Sequence, residues 1–195
     1  MATVVLNPSS TVFNNWTIFG SESTVHEALA DDTGVNTGVQ ESGTTRYFEV
    51  ELDNLDSAGL NIDTITSIQA TMEANNSLRS QTAVLDCSYR DGLGAIINGY
   101  TQDITISTTG TNTKYDWTAR TTSDGSDAWT DGDIDGMRLR VVLDTAPAAG
   151  NALVYKLYLT VTYTEPPVIT TYQSGEPNMK VEEGIIIIDE GVTIL

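Results

Sequence analysis

The chain is poor in the residues from which small proteins build covalent or metal-held sites: its 195 residues include one cysteine, Cys87, and one histidine, His26. A single thiol cannot close an internal disulfide, so stability has to come from core packing, assembly contacts or bound ions. One His and one Cys cannot supply a structural zinc tetrad. A Ser-His-Asp or Cys-His centre would have to be assembled around His26, in a segment without a nucleophile elbow, so His26 is expected on a solvated surface turn. Positive charge is scarce as well. Lys and Arg total 9 against 27 Asp and Glu, the formal net charge is -18, and the only lysines are Lys114, Lys156 and Lys180. Without a basic stripe to neutralise phosphates, no nucleic-acid partner is expected. No run approaches the ~20 apolar residues that span a bilayer, so no membrane partner is expected either. The opening MATVVLNPSS has no basic region, apolar stretch or cleavage pattern. A secretion signal is therefore not expected, and the chain reads as one made in a host cytoplasm.

Thr, Val, Ile and Tyr recur throughout, together with 16 glycines, a composition that favours strands over helices. Period-2 alternation locates the strands. From Ala152 to Tyr163, Leu153, Tyr155, Leu157, Leu159, Val161 and Tyr163 share one parity, with Lys156, Thr160 and Thr162 on the other. Met137, Leu139, Val141 and Leu143 repeat the pattern with Arg138 and Arg140 outward, and the turn residues 145–150 lie between, so an antiparallel hairpin is predicted over 137–163. Phe48, Val50 and Leu52 alternate with Glu49 and Glu51; Ile68, Ala70, Met72 and Ala74 form another half-buried strand. Leu85, Cys87 and Tyr89 make a third, which points the thiol inward as a small core residue. Shorter strands are expected at 3–6, 16–19, 100–106 and 113–117. Ser23 is placed to cap a short helical turn through Leu29. Eight or nine strands separated by turn signals predict an all-β fold, a two-layer antiparallel sandwich.

Asp131, Asp133 and Asp135, with Gly132 and Gly136, reproduce the opening of a calcium loop. The twelfth position is Val142 instead of an acidic residue, and the segment runs into a strand, not a helix. A plain Asp-Gly turn is the expectation, with calcium on these three carboxylates as the alternative, and no other cofactor is implied. An acidic surface brings carboxylates together by chance, so pairs of them do not indicate a glycosidase and no enzymatic activity is expected. Trp16, Trp117 and Trp129 are assigned to packing, the alternative being a sugar-binding face.

Glu165-Pro166-Pro167 cannot continue a central strand, so residues 1–164 are read as the sandwich and 165–195 as an extended C-terminal β arm. The arm holds Val168, Ile169 and Tyr172, then the uninterrupted Ile185, Ile186, Ile187 and Ile188, then Val192 and Ile194. Such β-branched runs are aggregation hazards when bare, so these nine residues are expected to bind another subunit by strand pairing.

Three patches carry a resemblance: Trp16 through Ala28-Leu29-Ala30-Asp31-Asp32, Trp129 through Arg138, and Tyr158 through Tyr163. Together they resemble the jelly-roll domains of tailed-phage virion proteins, over roughly the first 164 residues. The resemblance implies a jelly-roll-like sandwich and a virion structural protein, a capsid decoration (cement) protein in the first place. Its expected partners are the major capsid protein or other virion subunits, within a homo-oligomer. A tail or fibre component is the alternative within that class, and a carbohydrate-binding module the alternative outside it.

Overall fold

The computed structural model describes residues 1–30, 37–55, 58–78, 81–106, 113–123 and 125–167. Among them are eleven strands, β1 (Ala2–Leu6), β2 (Pro8–Asn14), β3 (Thr17–Phe19), β4 (Gly38–Glu41), β5 (Tyr47–Leu52), β6 (Thr64–Asn76), β7 (Ala83–Arg90), β8 (Ile96–Ile106), β9 (Thr113–Asp116), β10 (Arg138–Thr145) and β11 (Ala152–Thr164). Two short helices, α1 (Val25–Ala30) and α2 (Asp131–Ile134), accompany them. The strands form two antiparallel sheets, the first in the order β3-β4-β11-β6-β9 with β1 also on β11, the second β2-β5-β10-β7-β8. This is the expected all-β sandwich.

The two sheets bury their apolar faces together. Leu157, Leu159 and Val161 of β11 and Ala70 and Met72 of β6 share one core with Phe48, Val50, Leu139, Val141 and Leu85, all fully buried. Removing each of these side chains larger than alanine from water contributes about 1.5–3 kcal/mol. Cys87 lies in the same core, and its burial pushes the thiol's pKa well up, as an inert packing residue requires. The sheets are also joined by a hydrogen bond: the Ala70 N–H of β6 donates to the Tyr89 hydroxyl of β7 at 2.9 Å. Burial raises the Tyr89 phenol's pKa, and its ring meets Trp117 edge-on at 5.0 Å.

The 137–163 hairpin is not formed. β10 pairs with β5 and β7, while β11 pairs with β6, β1 and β4, so the connection between them crosses from one sheet to the other. Alternation identifies an apolar face but not whether its neighbour lies beside it or across the core. A second difference lies within β11. Its register with β6 shifts between Val154 and Lys156, so Tyr155 bulges and the parity reverses. Ala152 and Val154 thus join the core ahead of the bulge, whereas Leu153 falls outside the core cluster. Tyr155 packs edge-on against Phe19 and donates to Asn75 Oδ1 at 3.2 Å.

Two strands escaped the pattern reading. β2 begins at Pro8 and carries two register shifts against β5, which erase its alternation. β4 begins at Gly38, where a Cβ would collide with the Val154 carbonyl oxygen and the Phe19 ring, so only glycine lets β4 close on β11. Helix α1 forms near the expected place but is capped by Thr24, not Ser23: Glu27 N–H donates to Thr24 Oγ1 and Thr24 N–H to the Glu27 carboxylate. The Thr24 hydroxyl, ahead of the other donors, holds the Glu27 pKa below its ordinary value. Val25, Ala28 and Leu29 are buried, and α1 packs over β2, which is an edge strand of the second sheet.

Leu157→Ala is expected to cost about 2–5 kcal/mol in urea unfolding, as a fully packed site does. Leu153→Ala, ahead of the bulge and outside the core cluster, is expected to cost less than Leu157→Ala. Equal losses would show that the two residues share one face.

Candidate functional site

The outer face of the second sheet is where the chain concentrates its scarce positive charge. Alternation turns Tyr47, Glu49 and Glu51 of β5 outward, and likewise Arg138 and Arg140 of β10. The antiparallel register then sets Arg140 opposite Glu49, Arg138 opposite both Glu51 and Arg90, and Phe13 opposite Glu49 from the other side. Three of the six arginines converge on one carboxylate. Arg140 forks onto Glu49 Oε2 through Nε and Nη2, Arg138 Nη1 stands 3.5 Å from Oε1, and Arg90 Nε stands 3.9 Å from Oε2. Glu49 is only 2% exposed, yet it lies on the solvent side of the sheet because the arginines cover it. Arg138 Nε also approaches Glu51 at 3.6 Å, and Arg90 Nη1 donates to the Gly94 carbonyl at 2.6 Å. Burial, and after it the neighbouring Arg140, lowers the Arg90 pKa against the pull of Glu49.

Aromatic rings extend the patch. The Arg140 guanidinium lies 4.3 Å from the Tyr47 ring centroid, and Tyr47 stacks on Phe13 at 4.3 Å with an interplanar angle of 20°. Phe13 is 41% exposed. Three arginines and two glutamates meet here, with Asp86 of the same face also acting on Arg90, so guanidinium groups gather locally on a chain of net charge -18. Chemically it can hold an extended partner with apolar groups on the rings and carboxylates on the free guanidinium N–H groups. Farther along the same face the sign reverses: Asp86 lies opposite Asp103, and burial, then Asp103 and Asp144, raise its pKa.

A concavity of about 330 Å³ opens between the Asp91–Ala95 turn and α2. Asp133 and Asp135 line it together with Asp91, Asn98 and Trp129, but Asp131 does not. Thr130–Asp133 is a helical capping box and not a plain turn: the Asp133 carboxylate accepts from Thr130 N–H at 2.8 Å and from its hydroxyl at 2.7 Å. Asp135 Oδ1 accepts from Leu55 N–H at 2.8 Å. Among the described residues no group of three or more His, Cys, Asp or Glu side chains is gathered to hold a metal ion.

The tryptophans are packing residues: Trp16, Trp117 and Trp129 are 4%, 1% and 4% exposed, and Trp129 Nε1 donates to the Arg120 carbonyl. His26 is not on a solvated turn. It sits half-buried in α1 with Nδ1 3.0 Å from Thr11 Oγ1, which also accepts from the His26 backbone N–H. Asp31 and Asp32 lie outside the described residues, as do the arm positions Val168, Ile169, Tyr172, Ile185, Ile186, Ile187, Ile188, Val192 and Ile194. Sequence reasoning placed Glu49, Glu51, Arg138 and Arg140 outward but did not join them. The matching two-residue spacing of the acidic and basic pairs was the available signal.

Glu49→Ala leaves three arginines around an empty centre and is expected to cost ~3–5 kcal/mol in urea unfolding, the loss typical of removing one partner from a buried ion cluster. A loss under ~1 kcal/mol would mean that water already screens the cluster. At Asp86 the raised pKa means that folding favours the protonated acid, so this group's contribution is full at low pH and is lost as pH rises through the folded value. Asp86→Asn is therefore expected to raise Tm at neutral pH by about 1–2 °C, a gain that vanishes as pH falls below the carboxylate range. A gain that persists in acid would assign the effect to something other than charge.

No protein-family model matches the chain, and no curated relative does. Among solved structures, the enzymatically active domain of tailspike protein 4 from bacteriophage CBA120 is similar at 10% identity and TM-score 0.44, over 82% of this chain and 19% of that one. The chain thus spans about a fifth of the length of that tailspike domain. The CBM22-1 xylan-binding domain of Xyn10C from Paenibacillus barcinonensis aligns at 14% identity and TM-score 0.40, over 83% of this chain and 94% of that one. The CBM1 domain of BiXyn10A aligns at 13% identity and TM-score 0.37, over 84% of this chain and 97% of that one. None of these likenesses assigns the chain to a family.

Proposed function

We propose that the chain is a non-catalytic structural subunit on the exterior of a virus particle, joined to its neighbours through the outer face of the second sheet and through the C-terminal arm. The observation that carries the reading is that face: a rigid sheet on which Phe13, Tyr47 and the Glu49-centred arginines form one apolar and basic surface. A surface of aromatic and arginine side chains fixed by their own contacts is the composition that protein interfaces favour at their centres. The acidic remainder of the chain keeps it soluble until it assembles. As a head decoration protein it would hold the major capsid protein; as a tail or fibre component it would hold other virion subunits.

A second reading, a carbohydrate-binding module, draws on the exposed Phe13–Tyr47 stack, since sugar rings pack on exposed aromatics. The buried Trp129 offers no such platform, so Phe13 is the residue that tests it.

Purified particles are expected to bind antibody raised against the chain, seen by electron microscopy, with label on the head shell for decoration and on the tail for the alternative. Particles that lack the chain by mass spectrometry would overturn the reading. Glycan-array binding lost in Phe13→Ala would favour the carbohydrate module.

A further inference from the structure

We propose that the apolar and basic face formed by Phe13, Tyr47, Arg90, Arg138 and Arg140 holds the C-terminal segment 168–195 of a second copy of this chain. The inference rests on the reading of the protein as an assembling subunit and names the occupant of its interface. Charge matches this segment to the face. Residues 168–195 carry Glu176, Glu182, Glu183, Asp189 and Glu190 against Lys180 alone, and the uninterrupted run Ile185 to Ile188 is bracketed by four of those carboxylates. A segment that is both apolar and acidic is repelled by the acidic surface of the body and matched by the face where arginines and exposed rings meet.

Donor capacity also matches the segment to the face. A guanidinium has five N–H donors; Arg140 spends Nε and Nη2 on Glu49, while the side chains of Arg138 and Arg140 remain 20% and 23% exposed. Donors therefore remain for a second carboxylate without breaking the Glu49 cluster. Phe13, 41% exposed, offers the rings on which isoleucine side chains can be buried.

The exit of the chain points to a second copy. β11 belongs to the first sheet, and its last residue, Thr164, pairs with Thr64 at the start of β6. The face lies on the far side of the other sheet, about 10 Å beyond the first in stacking distance. Glu165 and then Pro166 and Pro167 follow, and consecutive prolines hold φ near -65° and keep the chain extended as it leaves the first sheet, on the side of the sandwich opposite the face. Exchanged between two copies, the contact is made twice about a two-fold axis, which multiplies its strength.

The test is sedimentation of the full chain over a range of concentration. Wild type is expected to self-associate, more weakly as salt rises. The variant carrying Glu182→Lys, Glu183→Lys, Asp189→Lys and Glu190→Lys, and separately Phe13→Ala, are expected to weaken association by roughly tenfold or more, about 1.4 kcal/mol. These substitutions leave the Glu49 cluster intact, so unchanged circular dichroism keeps the result readable where Arg140→Ala would strip a buried carboxylate of its partner. Mixing Phe13→Cys with Ile187→Cys chains under mild oxidation is expected to give a disulfide-linked heterodimer. A chain that stays monomeric at all concentrations, or whose association the fourfold variant leaves unchanged, overturns the inference. So does a double variant that closes its disulfide within one chain. Presence on particles is read separately by the antibody label, so a chain that is on particles without self-association sinks only the exchange, and one that self-associates but is absent from particles sinks only the virion reading.

Discussion

The long central strands of both sheets carry apolar faces, and the rest of the fold follows from the requirement that those faces be buried against one another. β6 and β11, thirteen residues each, are paired along nearly their whole length and supply one wall. β5, β10 and β7 supply the other, and the fully buried Leu157, Phe48 and Val141 are members of one cluster drawn from both. Because side chains alternate with a period of two, a slip of one residue would exchange the core for the surface along a whole strand. The bulge at Tyr155 makes that exchange once, deliberately placed within β11, so that one strand serves the core with Val154 on one parity and Leu157 on the other.

The same alternation creates the outer face of the second sheet. Burying Phe48 and Val50 obliges Glu49 to face outward, and burying Leu139 and Val141 does the same to Arg138 and Arg140. Register then decides that these charges meet. Glu49 loses its water to three guanidinium groups, and the cost of that desolvation is offset by their number and by the forked geometry of Arg140. The cluster in turn orients Arg140 over Tyr47, and Tyr47 against Phe13, so core packing on one side of the sheet sets the arrangement of charges and rings on the other.

The acidic residues divide by what surrounds them. Asp133 and Asp135, one residue apart from each other in a run that resembles a calcium loop, are drawn instead to the Thr130 cap and the Leu55 backbone N–H. A carboxylate oxygen bonded to a nearby amide is oriented by that bond, and the spacing of the residues alone does not aim it at a common centre. The cleft they line is bounded by α2, the helix that Asp133 caps together with Thr130.

The all-β class, most of the strands, the inward thiol and most of the core were legible in the sequence because each is a local consequence of period-2 patterning and residue volume. The end of β11 at Thr164 was legible in the same way, from the backbone limits of proline. What the tertiary structure alone decided was which strand lies beside which. β10 and β11 sit in different sheets, β2 and β4 pair through irregular or glycine-opened geometry, and the capping residue of α1 is Thr24. The Glu49 cluster belongs to this second kind. Its four charged residues come from three strands, β5, β7 and β10, and the outward direction of Glu49 and Arg140 was readable locally, but their meeting was not. Side-chain direction is a property of one strand, whereas proximity between strands is chosen by how the whole set of apolar faces is buried together.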